Sequence, residues 1–296
     1  MSEFSGVYPA LVTPFDGRGR PDAGVVRELV DWQLQAGVDG FYVCGSTGEG
    51  LLMSPDERRT MLEATVRAAQ GRGRVIAHVA ALDTATTVAL ARHAADQGAD
   101  AISVLPPLVF VPDAAGLREH YRMICEATPL PVFLYYMPWL TGGRGMSVEE
   151  FKNLLDFPTI RGIKFSDYDH FTMRQMGGLR PDVVVFSGYD EVFLSGLVSG
   201  AHGGIGATYN LMPHLFVGIQ RAFRNGDYVV ARALQDRVCA MIQTMCGMFL
   251  FGTIKAGLTH LGFAAGNPRR PMRPLNPDER KVLFARMDEL GIGREL

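Results

Sequence analysis

Lysine is the scarcest charged residue in this chain. Among 29 Lys plus Arg only four are Lys, at positions 152, 164, 255 and 281, so a lysine set inside an apolar segment asks for a chemical reason. Cysteine is sparse too. Cys44, Cys125, Cys239 and Cys246 lie far apart and fit no CxxC or zinc-ligand spacing, which argues against a cysteine metal site and predicts buried free thiols in a reducing compartment. The net charge of −2, with both signs dispersed, leaves no polybasic surface for nucleic acid or an anionic membrane. Nowhere do about 18 uncharged apolar residues run together, so no membrane-spanning helix is expected. The opening Met1-Ser2-Glu3-Phe4-Ser5-Gly6 lacks the basic start and apolar stretch of a signal peptide. These absences lead to the expectation of a cytoplasmic globular protein, and no tandem repeat or low-complexity tract interrupts it.

What is present is an alternation. With 296 residues, 47% hydrophobic and 20% charged, the chain can bury a large core. Gly37-Val38-Asp39-Gly40-Phe41, Gly98-Ala99-Asp100-Ala101-Ile102 and Gly200-Ala201-His202-Gly203-Gly204 each follow a helix-patterned stretch and lead into an apolar segment. A glycine at that point is a left-handed helix cap, and the segment beyond it a strand returning to a sheet. The pattern predicts strands near 6–12, 38–44, 74–79, 101–105, 131–136, 159–164, 183–187 and 203–206, with helices between them at 22–36, 55–70, 83–97, 113–127, 147–155, 170–178 and 190–199. Short apolar strands alternating with helices make a parallel sheet covered on its outer face, and the size is that of a (β/α)8 TIM barrel. A doubly wound sheet ranks behind it, because no GxGxxG follows the first strand. After Asn210 the strand signals stop. Helical patterns at 211–225, 227–264 and 277–290, with a Pro-rich connector at 268–277, predict a C-terminal helical extension. The expected division is a catalytic barrel at 1–210 and a helical region at 211–296 packed on it. The methionines at 241, 245 and 248 read as core or subunit contact.

A barrel of this kind places its active site at the C-terminal ends of the strands. Lys164 stands there, in Gly162-Ile163-Lys164-Phe165-Ser166. Lysine, unlike arginine, can lose its proton, and the neutral amine attacks carbonyl carbon; apolar flanks disfavour the charged form. The alternative is a strand-end lysine extending its head to water. The second strand ends in Gly45-Ser46-Thr47-Gly48-Glu49, whose backbone N–H groups could hold a carboxylate or phosphate. The fifth ends in Tyr135-Tyr136, and a tyrosine there either moves protons or packs. The seventh ends in Ser187-Gly188-Tyr189-Asp190-Glu191, two acids suited to hydroxyl groups or to capping the next helix. Together these residues are the equipment for Schiff-base chemistry on a 2-keto acid.

Gly-Ser-Thr-Gly-Glu at 45–49, Tyr135, Gly-Ile-Lys at 162–164 and Gly-Tyr-Asp-Glu at 188–191 resemble the dihydrodipicolinate synthase / N-acetylneuraminate lyase family, in register from Leu11-Val12-Thr13-Pro14-Phe15 through Thr208-Tyr209-Asn210. The resemblance implies a class I aldolase working through a pyruvate Schiff base without metal or other cofactor, usually a homotetramer, here a homotetramer or homodimer. It implies Lys164 as the Schiff-base lysine and Tyr135 as the proton shuttle. Ser46 and Thr47 would bind the pyruvate carboxylate, and Ser166, Gly188, Asp190 and Glu191 would line the sugar side. Synthases of the family carry an Arg in the loop after the tyrosine; Leu140 stands there, as in the sialic acid lyases. Two positions depart from the family. Val109 occupies the place of a tyrosine that enters a neighbouring subunit's site, and Ala207 that of a serine hydroxyl near the sugar chain. The expected reaction is cleavage of a 2-keto-3-deoxy sugar acid such as N-acetylneuraminate to pyruvate and an aldehyde sugar. Alternatives are another sugar-acid aldolase or dehydratase, the synthase itself, and a keto-acid-binding barrel without turnover.

Overall fold

A computed structural model describes residues 3–143 and 145–294. Met1 and Ser2, at the start of the expected barrel region, and Glu295 and Leu296, at the end of the helical region, lie outside the described residues, as does Arg144. Strand follows helix through β1 (Gly6–Pro9), α1 (Ala23–Gln35), β2 (Gly40–Val43), α2 (Pro55–Ala69), β3 (Arg74–His78), α3 (Thr84–Asp96), β4 (Ala101–Val104) and α4 (Ala114–Ala127). The same order continues through β5 (Val132–Tyr136), α5 (Val148–Leu154), β6 (Ile160–Phe165), α6 (His170–Gly177), β7 (Val184–Ser187), α7 (Phe193–Val198) and β8 (Gly203–Gly206). Many of the helices start on a short polar side chain that accepts an orphan amide: Asp22, Ser54, Asp83, Asp113, Ser147 and Asp169 all do so. Each chain segment thus leaves the sheet at a turn chosen by sequence.

The strands pair in parallel from β2 round to β8, and β1 pairs with β8. A single parallel bridge, Ala10 to Tyr42, and the Leu11 N–H donating to the Tyr42 carbonyl at 2.9 Å join the remaining edges, so the eight-stranded sheet is a nearly closed barrel. The first strand is shorter than the expected 6–12, because beyond Pro9 only that bridge is made. Alternation along each strand divides the side chains. Tyr8, Tyr42, Ile76, Phe133, Phe186 and Ile205 fill the barrel interior with Phe4 beneath them, while a larger apolar layer lies between strands and helices. Gly162 sits one inward step below Lys164; a Cβ there would meet the Val184 carbonyl at 2.0 Å and the Phe133 ring at 2.9 Å. Only glycine leaves room for the interior layer beneath the lysine.

Beyond β8 come α8 (Pro213–Arg224), α9 (Tyr228–Met245), α10 (Leu250–His260) and α11 (Pro277–Glu289). The continuous helix expected over 227–264 is a correction. Gly247, at φ +86°, takes a left-handed conformation, and α9 and α10 meet at 114°. No single helix among the described residues is long and apolar enough to cross a membrane. All four cysteines are free; Cys44 and Cys125 are buried as expected, whereas Cys239 is half-buried and Cys246 exposed. Cys246 lies at the break between α9 and α10 and lines the cavity at the barrel mouth.

Candidate active site

Lys164 projects into the barrel from the C-terminal half of β6, in register with Tyr135 of β5 and Phe186 of β7. It is buried, and no hydrogen bond or ion pair to it exists among the described residues. Its Nζ instead lies 4.2 Å from the centroid of the Tyr135 ring and 4.4 Å from that of Tyr42. The amine is held by aromatic faces and aliphatic packing, free to bond to a molecule in the cavity it lines.

Beneath it is a polar layer that sequence reasoning missed. The Tyr42 hydroxyl donates to Ser103 Oγ at 3.0 Å, and the two rings of Tyr42 and Tyr135 meet edge to face at 6.2 Å. His78 sets Nδ1 3.2 Å from the Cys44 carbonyl, and its buried Nε2 has no hydrogen-bond partner among the described residues. Burial, then the cations Arg58 and Lys164, hold this imidazole well below its ordinary range. It is therefore neutral at pH 7, with Nδ1–H donating to Cys44. The available signal was a Tyr and a His standing at inward positions of otherwise apolar strands.

The turn after β2 is tightly built. Gly50 N–H donates to the Gly45 carbonyl at 3.1 Å and Glu49 N–H to the Ser46 carbonyl at 2.9 Å, while Thr13 Oγ1 donates to the Gly48 carbonyl at 2.6 Å. A Cβ on Gly50 would lie 1.8 Å from the Cys44 carbonyl oxygen, so the close approach requires glycine. The amides of Ser46 and Thr47 have no acceptor among the described residues, and both residues line the cavity. Two unspent donors beside a reactive amine form a cradle for a small anion.

Glu49 closes this turn with φ +57° and is fastened from behind. Its carboxylate lies 2.6 Å from Lys255 Nζ of α10, both side chains being fully buried, and accepts the Arg269 N–H at 2.6 Å. Lys255 also donates to the Asn267 carbonyl at 3.2 Å and lies over the Phe15 ring. Burial pulls the Lys255 ammonium down to about 8, against the pull of Glu49. Arg269 chelates Glu57, holding that carboxyl down at about 2, and donates to the Leu52 carbonyl. The C-terminal helices thus buttress the anion cradle, a role no local pattern around Lys255 announced.

The two acids after β7 differ in environment. Asp190 Oδ2 accepts both the Thr208 N–H at 2.7 Å and the Thr208 hydroxyl at 2.6 Å. Burial outweighs those bonds and raises its carboxyl to about 6. Neither acid caps a helix; a short 3-10 turn at Asp190–Val192 aims them at the cavity instead. Glu191 is half-buried and accepts a short hydrogen bond from the Tyr168 hydroxyl.

A cavity of about 550 Å³ unites these groups. Ser46, Thr47, Tyr135, Lys164, Gly188, Asp190 and Glu191 all line it. Ser166 does not. It is buried behind Gly188, where a Cβ would meet its Oγ at 2.0 Å, and that hydroxyl has no hydrogen-bond partner among the described residues. Leu140 and Ala207 line the cavity, as do the unexpected Trp139, Thr208 and Phe251. Met245 lines it too, while Met241 is core as expected. Val109 is 65% exposed and does not line its own chain's cavity. No cluster of three or more His, Cys, Asp or Glu side chains suited to a metal exists among the described residues.

Comparison with known proteins agrees with this geometry. The profile of the dihydrodipicolinate synthetase family matches residues 3–290. The chain is 38% identical over 271 residues to an N-acetylneuraminate lyase of Rhizobium meliloti (strain 1021), covering 92% of this chain and 90% of that one. It is 36% identical over 279 residues to an N-acetylneuraminate lyase of Escherichia coli (strain SMS-3-5 / SECEC), covering 94% and 93%. The solved structure of a wild-type Ruminococcus gnavus sialic acid aldolase superposes with a TM-score of 0.94 at 30% identity, covering 97% of each chain.

Proposed function

This chain belongs to the dihydrodipicolinate synthetase family, and on that premise we propose that it is a pyruvate-dependent carbon–carbon lyase cleaving a 2-keto-3-deoxy sugar acid of the N-acetylneuraminate type. The observation that carries the reading is Lys164: buried, unpaired among the described residues, flanked by two tyrosine rings, and open to a cavity with an anion cradle. The Ser46–Thr47 turn holds the keto acid's carboxylate. The Lys164 amine adds to the C2 ketone and loses water, giving a protonated imine whose positive nitrogen accepts the electrons of the C3–C4 bond. Tyr135, having given its own proton to the departing water, takes the proton from the C4 hydroxyl as that bond breaks, releasing the aldehyde and leaving an enamine. Protonation at C3 and addition of water then release pyruvate and restore the amine. Asp190 and Glu191 bind the hydroxylated tail, with Gly188 giving it room and Ser166 supporting that wall.

In this reading the chemistry belongs to the barrel at 1–210, and the helical region at 211–296 holds its mouth in place through Lys255 and Arg269. Leu140 on the cavity wall supports the lyase over the synthase branch. Ala207, which has no hydroxyl to offer, favours a sugar acid whose tail differs from N-acetylneuraminate as a second reading. The exposed run Val109, Phe110 and Val111 supports assembly into a homodimer or homotetramer, and four free cysteines support a cytoplasmic setting. The test is pyruvate release from N-acetylneuraminate and from 2-keto-3-deoxygluconate, followed with lactate dehydrogenase and NADH. Turnover of either that disappears in Lys164→Ala is expected; a folded protein that turns over neither contradicts the proposal.

A further inference from the structure

Tyr168 stands three residues beyond β6 and belongs to none of the groups that meet pyruvate. Its backbone is braced on both sides: Asp169 N–H donates to Asp167 Oδ1 at 3.0 Å, and His170 N–H to the Tyr168 carbonyl at 2.8 Å. Asp169 then caps α6 through the Thr172 amide. This rigid turn sends the phenol across to the acids after β7, where its ring tilts against Tyr189 at 4.7 Å and its hydroxyl bonds to Glu191 Oε1. The residue is 62% exposed. A hydrogen bond in so wet a place contributes little to the fold, yet it fixes a terminal carboxylate torsion that is otherwise broad.

The consequence lies in which carboxylate oxygens a substrate finds. Asp190 has given one oxygen to both Thr208 donors and is the more deeply buried acid. Glu191 has one oxygen held by Tyr168, and its Oε2 accepts no hydrogen bond among the described residues. We propose that Tyr168 is a specificity-determining residue: by orienting Glu191 it presents Oε2, the free carboxylate oxygen of the Tyr168–Glu191 pair, to the far hydroxyls of a long aldehyde sugar. A three-carbon aldehyde ends before this pair and gains nothing from it. Preference for long polyhydroxylated aldehydes over short ones therefore rests on Tyr168 as well as on Glu191, and the inference depends on the aldolase reading above.

The test runs the reaction in the synthetic direction, with pyruvate and either N-acetylmannosamine or D-glyceraldehyde, quantifying products chromatographically. Tyr168→Phe is expected to lower kcat/KM for N-acetylmannosamine about tenfold and for glyceraldehyde less than about twofold. In a Glu191→Gln background the same change adds less than about twofold, because the hydroxyl acts through the carboxylate. The borohydride-trapped pyruvate adduct on Lys164 stays at wild-type yield. Equal losses with both aldehydes, an unaltered rate with N-acetylmannosamine, or an undiminished effect in the Glu191→Gln background each overturn the proposal. A wild-type protein that forms no adduct overturns the aldolase reading and this inference with it.

Discussion

A lysine and a tyrosine divide the chemistry at the scale of single residues. Lys164→Arg keeps charge and length but cannot supply a neutral amine, so it is expected to fold and form no pyruvate adduct. Tyr135→Phe keeps the ring over Lys164 and is expected to retain some adduct while losing at least about a hundredfold in kcat, the usual worth of a positioned acid–base group; wild-type turnover would mean the proton moves elsewhere. Asp190 makes a pH prediction. Its carboxyl is raised to about 6 in the fold, so between about 4 and 6 the unfolded chain releases a proton that the native protein keeps. Stability from this group is full below about 4, falls as pH rises to 6, and is flat above; the drop is about 2–3 kcal/mol. Asp190→Asn should remove that slope from the difference between urea-unfolding curves at pH 4 and 6.5. An identical slope in the variant would show that Asp190 ionises normally.

Elements place those residues, and one contact between elements matters more than its position in sequence suggests. α10 delivers Lys255 to Glu49, behind the turn carrying Ser46 and Thr47. Lys255→Met leaves a buried carboxylate without its cation and is expected to cost about 3–5 kcal/mol in urea unfolding. It should also raise KM for pyruvate, because the cradle loses its support. Adding Glu49→Gln should recover part of the stability, since no buried charge is then unpaired; no recovery would mean that the pair is not what holds the turn. This contact shows where sequence reading stops. Lys164 was legible because its neighbours in the chain are its neighbours on the strand, and the glycine-led returns at 37, 98 and 200 exposed the barrel for the same reason. Lys255–Glu49 and Tyr168–Glu191 join segments that meet only when the barrel closes. Gly247 was visible, but a glycine inside a helical pattern does not declare whether the helix breaks there. Ser166, correctly placed by the pattern at the end of β6, points behind the wall because its orientation depends on the packing of Gly188.

At the scale of the whole molecule, the cavity lined by Lys164 opens at one end of a barrel, and the outer surface carries a further expectation. Val109, Phe110 and Val111 form an exposed apolar run in the loop between β4 and α4, at the mouth end of the barrel. If copies associate through it, Phe110→Asp should lower the mass measured by light scattering, while the pyruvate adduct persists because every group touching pyruvate comes from one chain. An unchanged mass would place the interface elsewhere. The proposed activity rests on covalent chemistry at a single amine, and the chain holds a useful internal control: Lys255 is also buried and lies behind the same cradle, but its amine is committed to Glu49. The decisive measurement is therefore to incubate the protein with pyruvate, reduce it with borohydride and locate the added mass by peptide mass spectrometry. One pyruvate-derived increment on the peptide bearing Lys164, and none on the peptide bearing Lys255, is the predicted result; a folded protein that gains no increment, or gains it at Lys255, contradicts the account.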